Sequence, residues 1–584
     1  VTRPGRVSNR IDPNQTSEVI VIRKCAWTLT ATALALASGG IAQAEAIVKF
    51  DQPVLIDGRL EYPEGAAIPR YQTPIEIEYA RTQRPNTERA LIGPPRNPRA
   101  TAEYEPCAGI VMSNDGTTAW NNLLYLMSSY ITREGNADVY MCVDSAAEQT
   151  SVTTLMTNFN SGGRTIDMSR VKFHIRTTDA IWLRDYGPRF AYEGDVRIVT
   201  DHIYNYASGR PNDDAHPIGF AAIYKFPYYD NNLRHGGGNY HLDDSRRGFA
   251  SRLLVNDNIS TPEATILQRW VDWWGINTTL FTPLPTSIDG TQHLDMWAQI
   301  VADNTVIVGD FQNNATGDNV TTAGANYYQA NGWNMFRTPN WSISGVHYTH
   351  TNTVMCNNVM MVPTFTNATV APGNAGALAT FQAALPGHQI VGIPCQDIIG
   401  AAGAIHCIVM HMPPNLNGVN PGTIVYQPNG GQTFNPGDNM NITWASDDDQ
   451  KPQVLTIDID LSLDGGATFP INIATGTADD GSFIWSVPDL YSTQAKVRVR
   501  GRDPQNNTGH DLSDLDFTIN GTPPPPSCPG DANGDFVVDA ADLSVILGNF
   551  GLAASGPASG DLNGDNVCNA ADLSVLLANF GARC

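Results

Sequence analysis

The chain is 584 residues long, more than one hydrophobic core organises, so two to four domains are expected. Hydrophobic residues make up 42% and charged residues 16%, which is a globular and not a disordered composition. A formal net charge of −23, from 35 basic and 58 acidic residues, argues against a nucleic-acid backbone or an anionic lipid surface as the main partner.

In chain order, Arg23 and Lys24 precede an apolar run from Cys25 to Ala37, and Ala42-Gln43-Ala44 fits a signal-peptidase site. That run is short for a bilayer span. Residues 1–44 therefore read as an export signal with an upstream extension, which predicts a secreted protein, and no later segment reads as a membrane span. All cysteines except Cys25 follow this segment, and export predicts that some of them pair. None shows a CxxC or a Cys/His zinc spacing.

Residues 45–421 mix apolar, strand-like runs (Ala108–Met112, Val306–Val308) with a helical stretch over Thr261–Trp274, flanked by Pro262 and Gly275. The mixture predicts an α/β or α+β catalytic domain. From Gly422, short alternating runs such as Leu455–Leu463 and Ala495–Val499 are separated by turn signals. They predict an all-β sandwich of Ig/Fn3-like type over 422–520, with Trp444 and Trp485 in its core. Residues 521–527, Gly-Thr followed by four prolines and Ser527, read as a stiff linker.

Residues 528–584 contain an internal repeat, GDANGDFVVDAADLSVILGNFG and then GDLNGDNVCNAADLSVLLANFG. Each copy sets oxygen-bearing side chains at loop positions 1, 3, 5 and 12, ahead of an amphipathic helix. They are Asp531, Asn533, Asp535 and Asp542, then Asp561, Asn563, Asp565 and Asp572. With the carbonyls of Val537 and Val567 at the seventh position, each loop has the spacing that winds oxygens around one calcium ion, so two Ca²⁺ are expected. The segment resembles a type I dockerin, a small α calcium-binding module, and the resemblance implies a cohesin-like docking partner. Cys528, Cys568 and Cys584 depart from that pattern and point to a terminal clasp.

Four further segments carry candidate chemistry. Ile405-His406-Cys407 sets a cysteine in a small apolar strand-like run. TTDAIWLRDYGPRF offers Asp179, Trp182 and Asp185 beside a Gly-Pro turn. In HLDMW, His293 and Asp295 are one residue apart, so on a strand both point to one face. In HGGGNYHLDD, three glycines permit close backbone approach before Asn239 and Tyr240.

WLRDYGP, GGGNY, HLDMW, YTHTNTVMCNNVMMVP and GAIHC, in this order, resemble the bacterial peptidylarginine deiminase and agmatine deiminase family over roughly Tyr71–Met412. The resemblance implies a five-bladed, pseudo-symmetric α/β propeller with its site on the central axis, and chemistry that needs no cofactor. Carried over by motif, Cys407 is the nucleophile, His293 the general acid and base, Asp185 and Asp295 the guanidinium anchors, Asn352 an active-site asparagine, and Trp182 a pocket wall. Agmatine deiminases tend to have an acidic residue before the glycines, where this chain has His235. The peptidylarginine branch holds a substrate carboxylate with arginines near a YNRPxRPND stretch. Here the stretch is YNYASGRPNDD, which keeps Arg210 as a candidate clamp and lacks the earlier arginine. The implied reaction is hydrolysis of an arginine guanidinium, in a peptide or free, to citrulline and ammonia through a thiouronium on the cysteine. Agmatine deimination and a non-catalytic extracellular scaffold are the alternatives.

Overall fold

A computed structural model describes residues 50–83, 93–523 and 528–584. The expected export signal, residues 1–44, and residues 524–527 of the Pro-rich linker lie outside the described residues.

Between Arg99 and Met412 the strands form five sheets. Four of the sheets are built in chain order on Arg189–Glu193, Val196–Tyr204 and Tyr228–His235; on His241–Leu242, Arg247–Ser251 and Asn277–Phe281; on Ala298–Ala302, Thr305–Phe311 and Asn334–Ile343; and on Val354–Cys356, Val359–Thr364 and Gln389–Pro394. The remaining sheet joins Val409–Met412 to Gly109–Ser113, Asp138–Val143 and Val171–Ile175, so the last strand of the region completes a sheet begun by one of its first.

One scheme recurs in each sheet: an antiparallel pair followed by a parallel neighbour. A parallel neighbour cannot be reached through a tight turn, so a crossover helix precedes it. These helices are Thr118–Arg133, His216–Tyr224, Glu263–Trp274, Ala315–Ala330 and Asn374–Ala384. In Glu263–Trp274, the helix expected over 261–274, Ile266, Trp270, Trp273 and Trp274 fall on one face and are buried. Gly275 ends it with φ at +71°, the left-handed C-cap that glycine adopts without strain.

After Gly422 the chain forms two sheets. One contains Gly422–Gln427, Asn439–Asp447 and Ser482–Ser486; the other is centred on Thr456–Ser462 and Tyr491–Arg502. Alternating residues Ile442, Trp444, Ile457, Ile459, Val497 and Val499 share one core, with Trp485 packed against it. A buried cluster ties this region to the five sheets before it. Asp447 accepts from Arg197 Nε at 2.7 Å and faces Lys451 Nζ at 2.7 Å, and both cations are almost fully buried.

The C-terminal repeat folds into helices Ala540–Asn549 and Ala570–Ala578, each with a capping box whose N3 residue is the position-12 aspartate of its loop. Cys528 and Cys584 form a disulfide that clasps the ends of the module, and Cys568 stays a buried thiol.

Candidate active site

Five turns, each leading into the first strand of a sheet, bring the predicted residues together. Asp185 lies on the helical turn Leu183–Tyr186 and Gly238 on Gly237–Asn239. Asp295 lies on Leu294–Met296, Asn352 just ahead of Val354–Cys356, and Cys407 on His406–Ile408. The local conformations differ from the sequence reading. Asp295 sits on a 3₁₀ turn that His293 caps, and not on a strand, and Cys407 also lies on a turn, ahead of the strand Val409–Met412. Their convergence comes from the stacking of turns and not from strand alternation.

At the centre of the cluster is a guanidinium that the sequence reading assigned no role, that of Arg70. Its Nε donates to Asp185 Oδ2 at 2.7 Å and its Nη2 to Asp185 Oδ1 at 2.8 Å, a bidentate pair. Nη1 and Nη2 reach the two oxygens of Asp295 at 3.2 and 3.0 Å, and Nη2 lies 2.8 Å from His293 Nδ1. Arg70, Asp185, Asp295 and His293 all have fully buried side chains. Gly238 explains part of the glycine run: a Cβ there would collide with Arg70 Nη2 and stand 2.6 Å from Asp295 Oδ2. Its N–H donates to Asp185 Oδ1 at 3.0 Å.

Asn352 Nδ2 donates to Cys407 Sγ at 3.1 Å, and the thiol lies 3.5 Å from Asp295 Oδ2. Asn352 Oδ1 accepts from the N–H groups of Ala404 and His406 at 3.0 and 3.1 Å, so one amide holds both the sulfur and the loop that carries it. Behind Asp295 runs a chain of charge-assisted contacts. His406 Nδ1 is 2.9 Å from Asp295 Oδ2, His406 Nε2 is 2.9 Å from Glu103 Oε2, and Arg184 Nη1 donates to Glu103 Oε1 at 2.6 Å. Neither Glu103 nor the role of His406 was read from sequence, because Glu103 lies in an unremarked TAEYEP stretch about three hundred residues away in sequence.

Burial opposes charge on both anchors, yet Arg70 and then His293 hold the Asp185 carboxyl well below its ordinary range. Arg70 and His406 do the same for Asp295. The Arg70 cation is likewise penalised by burial but held charged by Asp185 and Asp295. The Cys407 thiol is pushed well up by burial; Arg70 pulls it down, and Asp295 and Asp185 push it up. A cation between the two carboxylates therefore favours the thiolate, against burial and the carboxylates themselves.

Two of the candidate binding residues grip the backbone around Arg70. Trp182 Nε1 donates to the Ile68 carbonyl at 2.8 Å, and its ring closes on Gly403, where a Cβ would sit 2.6 Å from the indole and 3.0 Å from Cys407 Sγ. Arg210 does hold a carboxylate, but one from this chain. It donates to Glu76 Oε1 at 2.8 Å and to the carbonyls of Pro69 and Tyr71 at 2.9 and 3.1 Å. The other three are not brought to the guanidinium. Asp179 accepts from the N–H groups of Asn212 and Asp213, bracing a loop. Asn239 exchanges two hydrogen bonds with the Ser251 backbone. Tyr240 packs under Arg189, whose guanidinium carbon is 3.6 Å from the ring centroid.

Among the described residues, two clusters of acidic, histidine or cysteine side chains could hold a metal. Asp531, Asp535 and Asp542 place their oxygens within 4.8 Å of one another. Three carboxylates so close repel one another without a cation, so the first loop fits calcium. In the second loop, Asp572 accepts from the Leu562 and Asn563 N–H groups as Asp542 does from Ala532 and Asn533. The other cluster, Cys142, His174 and His216, is buried, with the two Nε2 atoms 3.2 Å apart. Its members come from two strands and a helix, so no sequence spacing announced it.

Residues 99–413, more than half of the chain, match the family model described as Porphyromonas-type peptidyl-arginine deiminase. Residues 529–580 match the type I dockerin domain. Solved structures similar to this chain include a Porphyromonas gingivalis protein titled as an arginine deiminase (14% identity, 54% of this chain and 98% of that chain, TM-score 0.46). The agmatine deiminase of C. jejuni is similar at 16% identity over 55% of this chain and 97% of its own, with a TM-score of 0.46. That of Enterococcus faecalis is similar at 15% identity over 56% and 100%, with a TM-score of 0.47.

Proposed function

We propose, from the premise that this chain belongs to the Porphyromonas-type peptidyl-arginine deiminase family, that it is a secreted hydrolase converting peptidyl arginine to citrulline and ammonia. One observation carries the reading: the cluster already grips a guanidinium, with two buried carboxylates on its nitrogens, an imidazole on Nη2 and a thiol beside it. Backbone contacts on both sides of that arginine favour a substrate arginine inside a peptide over agmatine, which has no flanking chain.

In this reading Asp185 and Asp295 hold the substrate guanidinium planar and desolvated, and its charge lowers the Cys407 thiol. Sγ bonds to the central carbon, and the tetrahedral adduct collapses as one C–N bond breaks. His293 delivers a proton to the departing ammonia and leaves a thiouronium on Cys407. His293 then takes a proton from water, the oxygen adds to the same carbon, and the C–S bond breaks to release the ureido product. Asn352 keeps the sulfur on its line of attack, and His406 with Glu103 keeps Asp295 oriented.

Five sheets with one recurring scheme support a five-bladed, pseudo-symmetric propeller with the site on its axis. We read the chain as a signal and extension (1–44), deiminase domain (45–421), sandwich (422–520), linker (521–527) and dockerin-like module (528–584) binding two calcium ions and a cohesin-like partner. Among the described residues no helix is long and apolar enough to cross a membrane.

The test is ammonia and citrulline release by the protein and by Cys407→Ala, on internal-arginine peptides, C-terminal-arginine peptides, free arginine and agmatine. Turnover of internal-arginine peptides that disappears in the variant is expected. Agmatine as the preferred substrate would overturn the peptidyl reading, and no turnover by folded protein would overturn the deiminase reading.

A further inference from the structure

The cluster around Cys407 is filled by the chain itself. Arg70 lies on an N-terminal strap that precedes the helix Pro74–Gln83, upstream of the matched deiminase region, which begins at residue 99. The strap is bound as a peptide would be. The Arg70 N–H donates to the Ala401 carbonyl at 2.9 Å, and Trp182 holds the carbonyl two residues before it. Arg210 holds the carbonyls on either side. Arg210 also pairs with Glu76, so the strap supplies the guanidinium and the helix that follows it a carboxylate. Ile68, Arg70 and Thr73 are almost fully buried, which makes the strap a packed element and not a surface arm. A cavity of ≈ 560 Å³ lies against it, lined by Tyr71, Gln72, Tyr206, Gly290, His347 and Ala402.

Any external guanidinium must displace Arg70, yet Arg70 meets both carboxylates and the imidazole that the reaction requires, and the thiol lies on one of those carboxylates. Its Nη2 is the nitrogen on His293 Nδ1, so the nitrogen that would leave already faces the imidazole that would protonate it. Gly403 packs against both the sulfur and the arginine side chain. A Cβ there would stand 3.0 Å from Cys407 Sγ and 3.1 Å from Arg70 Cδ.

We propose that Arg70 is a modification site of this protein, deiminated in cis by Cys407, and that the resulting neutral side chain releases the strap and opens the site to other arginines. The inference rests on the deiminase reading above. Sγ bonds to the Arg70 Cζ and the Cζ–Nη2 bond breaks, with ammonia leaving. Water then supplies the oxygen, the C–S bond breaks and the thiol is restored. The net change is arginine plus water to citrulline plus ammonia. The ureido product keeps the shape of the guanidinium but not its charge, so the pairing with Asp185 and Asp295 that holds the strap is lost. A cationic substrate then outcompetes it for the same two carboxylates.

The test is peptide mapping by mass spectrometry at residue 70 in the full chain, in wild type and Cys407→Ala. The Cys407→Ala protein is also mapped after incubation with Arg70→Gln enzyme. Citrulline at position 70 in wild type only, with Cys407→Ala still carrying arginine after incubation, is the expected result. Arg70→Lys keeps the cation but has no carbon to attack, so its turnover of an internal-arginine peptide should stay more than about tenfold below that of Arg70→Gln. Arginine at position 70 in wild type, while Arg70→Gln deiminates the peptide, would overturn the proposal. So would citrulline appearing in Cys407→Ala after incubation, which would show modification in trans. If neither wild type nor folded Arg70→Gln releases ammonia from any guanidine, the deiminase reading itself has failed. The comparison of wild type with Cys407→Ala does not depend on Arg70→Gln folding.

Discussion

Replacing Asp185 with asparagine in an Arg70→Gln parent tests the guanidinium grip without competition from the strap. The Arg70 geometry stands in for a substrate: Asp185 takes Nε and Nη2 together, at 2.7 and 2.8 Å, with both partners excluded from water. Asparagine keeps the shape and one acceptor oxygen but removes the charge. Deleting one partner of a buried ion pair costs about 3–5 kcal/mol. At about 1.4 kcal/mol per factor of ten, kcat/KM for an internal-arginine peptide should fall by roughly two to three and a half orders of magnitude. The substrate is already a cation when it binds and the thiouronium is again a cation, so most of the loss should appear in KM. Initial rates of citrulline release across a substrate series read both constants, with circular dichroism as the check on folding. A variant within about threefold of its parent in kcat/KM would refute the argument, because a buried carboxylate that grips the substrate cannot be neutralised so cheaply.

Two other outcomes follow from the electrostatics. In Arg70→Gln without ligand, burial and the two carboxylates act on Cys407 with no cation to oppose them. Its alkylation rate should therefore keep rising through and beyond about pH 8.5, the ordinary thiol range; a rate already at its plateau at neutral pH would contradict the account. Chelating calcium should remove amide-exchange protection from residues 529–580 and leave deimination unchanged, since the loop carboxylates repel one another without a cation. Protection that survives chelation would mean the Cys528–Cys584 clasp suffices to hold the module.

Much of the site was legible because its chemistry needs particular residue types in short, ordered motifs. Cys407, His293, Asp295, Asp185 and Asn352 were all named from such motifs, and the fold brings them together. The same reasoning over-extended to Asp179, Asn239 and Tyr240. Asp179 neighbours a motif and Asn239 and Tyr240 lie inside one, but their side chains point into loop and core contacts, because residues next to one another in sequence face different directions. The strand alternation invoked for His293 and Asp295 was the wrong local geometry, since a 3₁₀ turn carries Asp295 and His293 is its N-cap.

What the sequence by itself determined was the inventory and its order: the five deiminase motifs, the alternating runs after Gly422, and the two oxygen-rich loops ahead of their helices. Each is local, written in residues a few positions apart, and governed by helix, strand or ligand spacing. What only the tertiary structure decided was which distant groups meet. Arg70 and Asp295 are 225 residues apart, Glu103 and His406 are 303 apart, and Arg197 and Asp447 are 250 apart. No period or motif relates such pairs. Asp295 and His406 meet because the five crossover units bring their entry turns together. Arg70 and Glu103 reach that centre from segments upstream, and Arg197 meets Asp447 where the sandwich packs on a neighbouring sheet. In each place burial makes an unpaired charge costly.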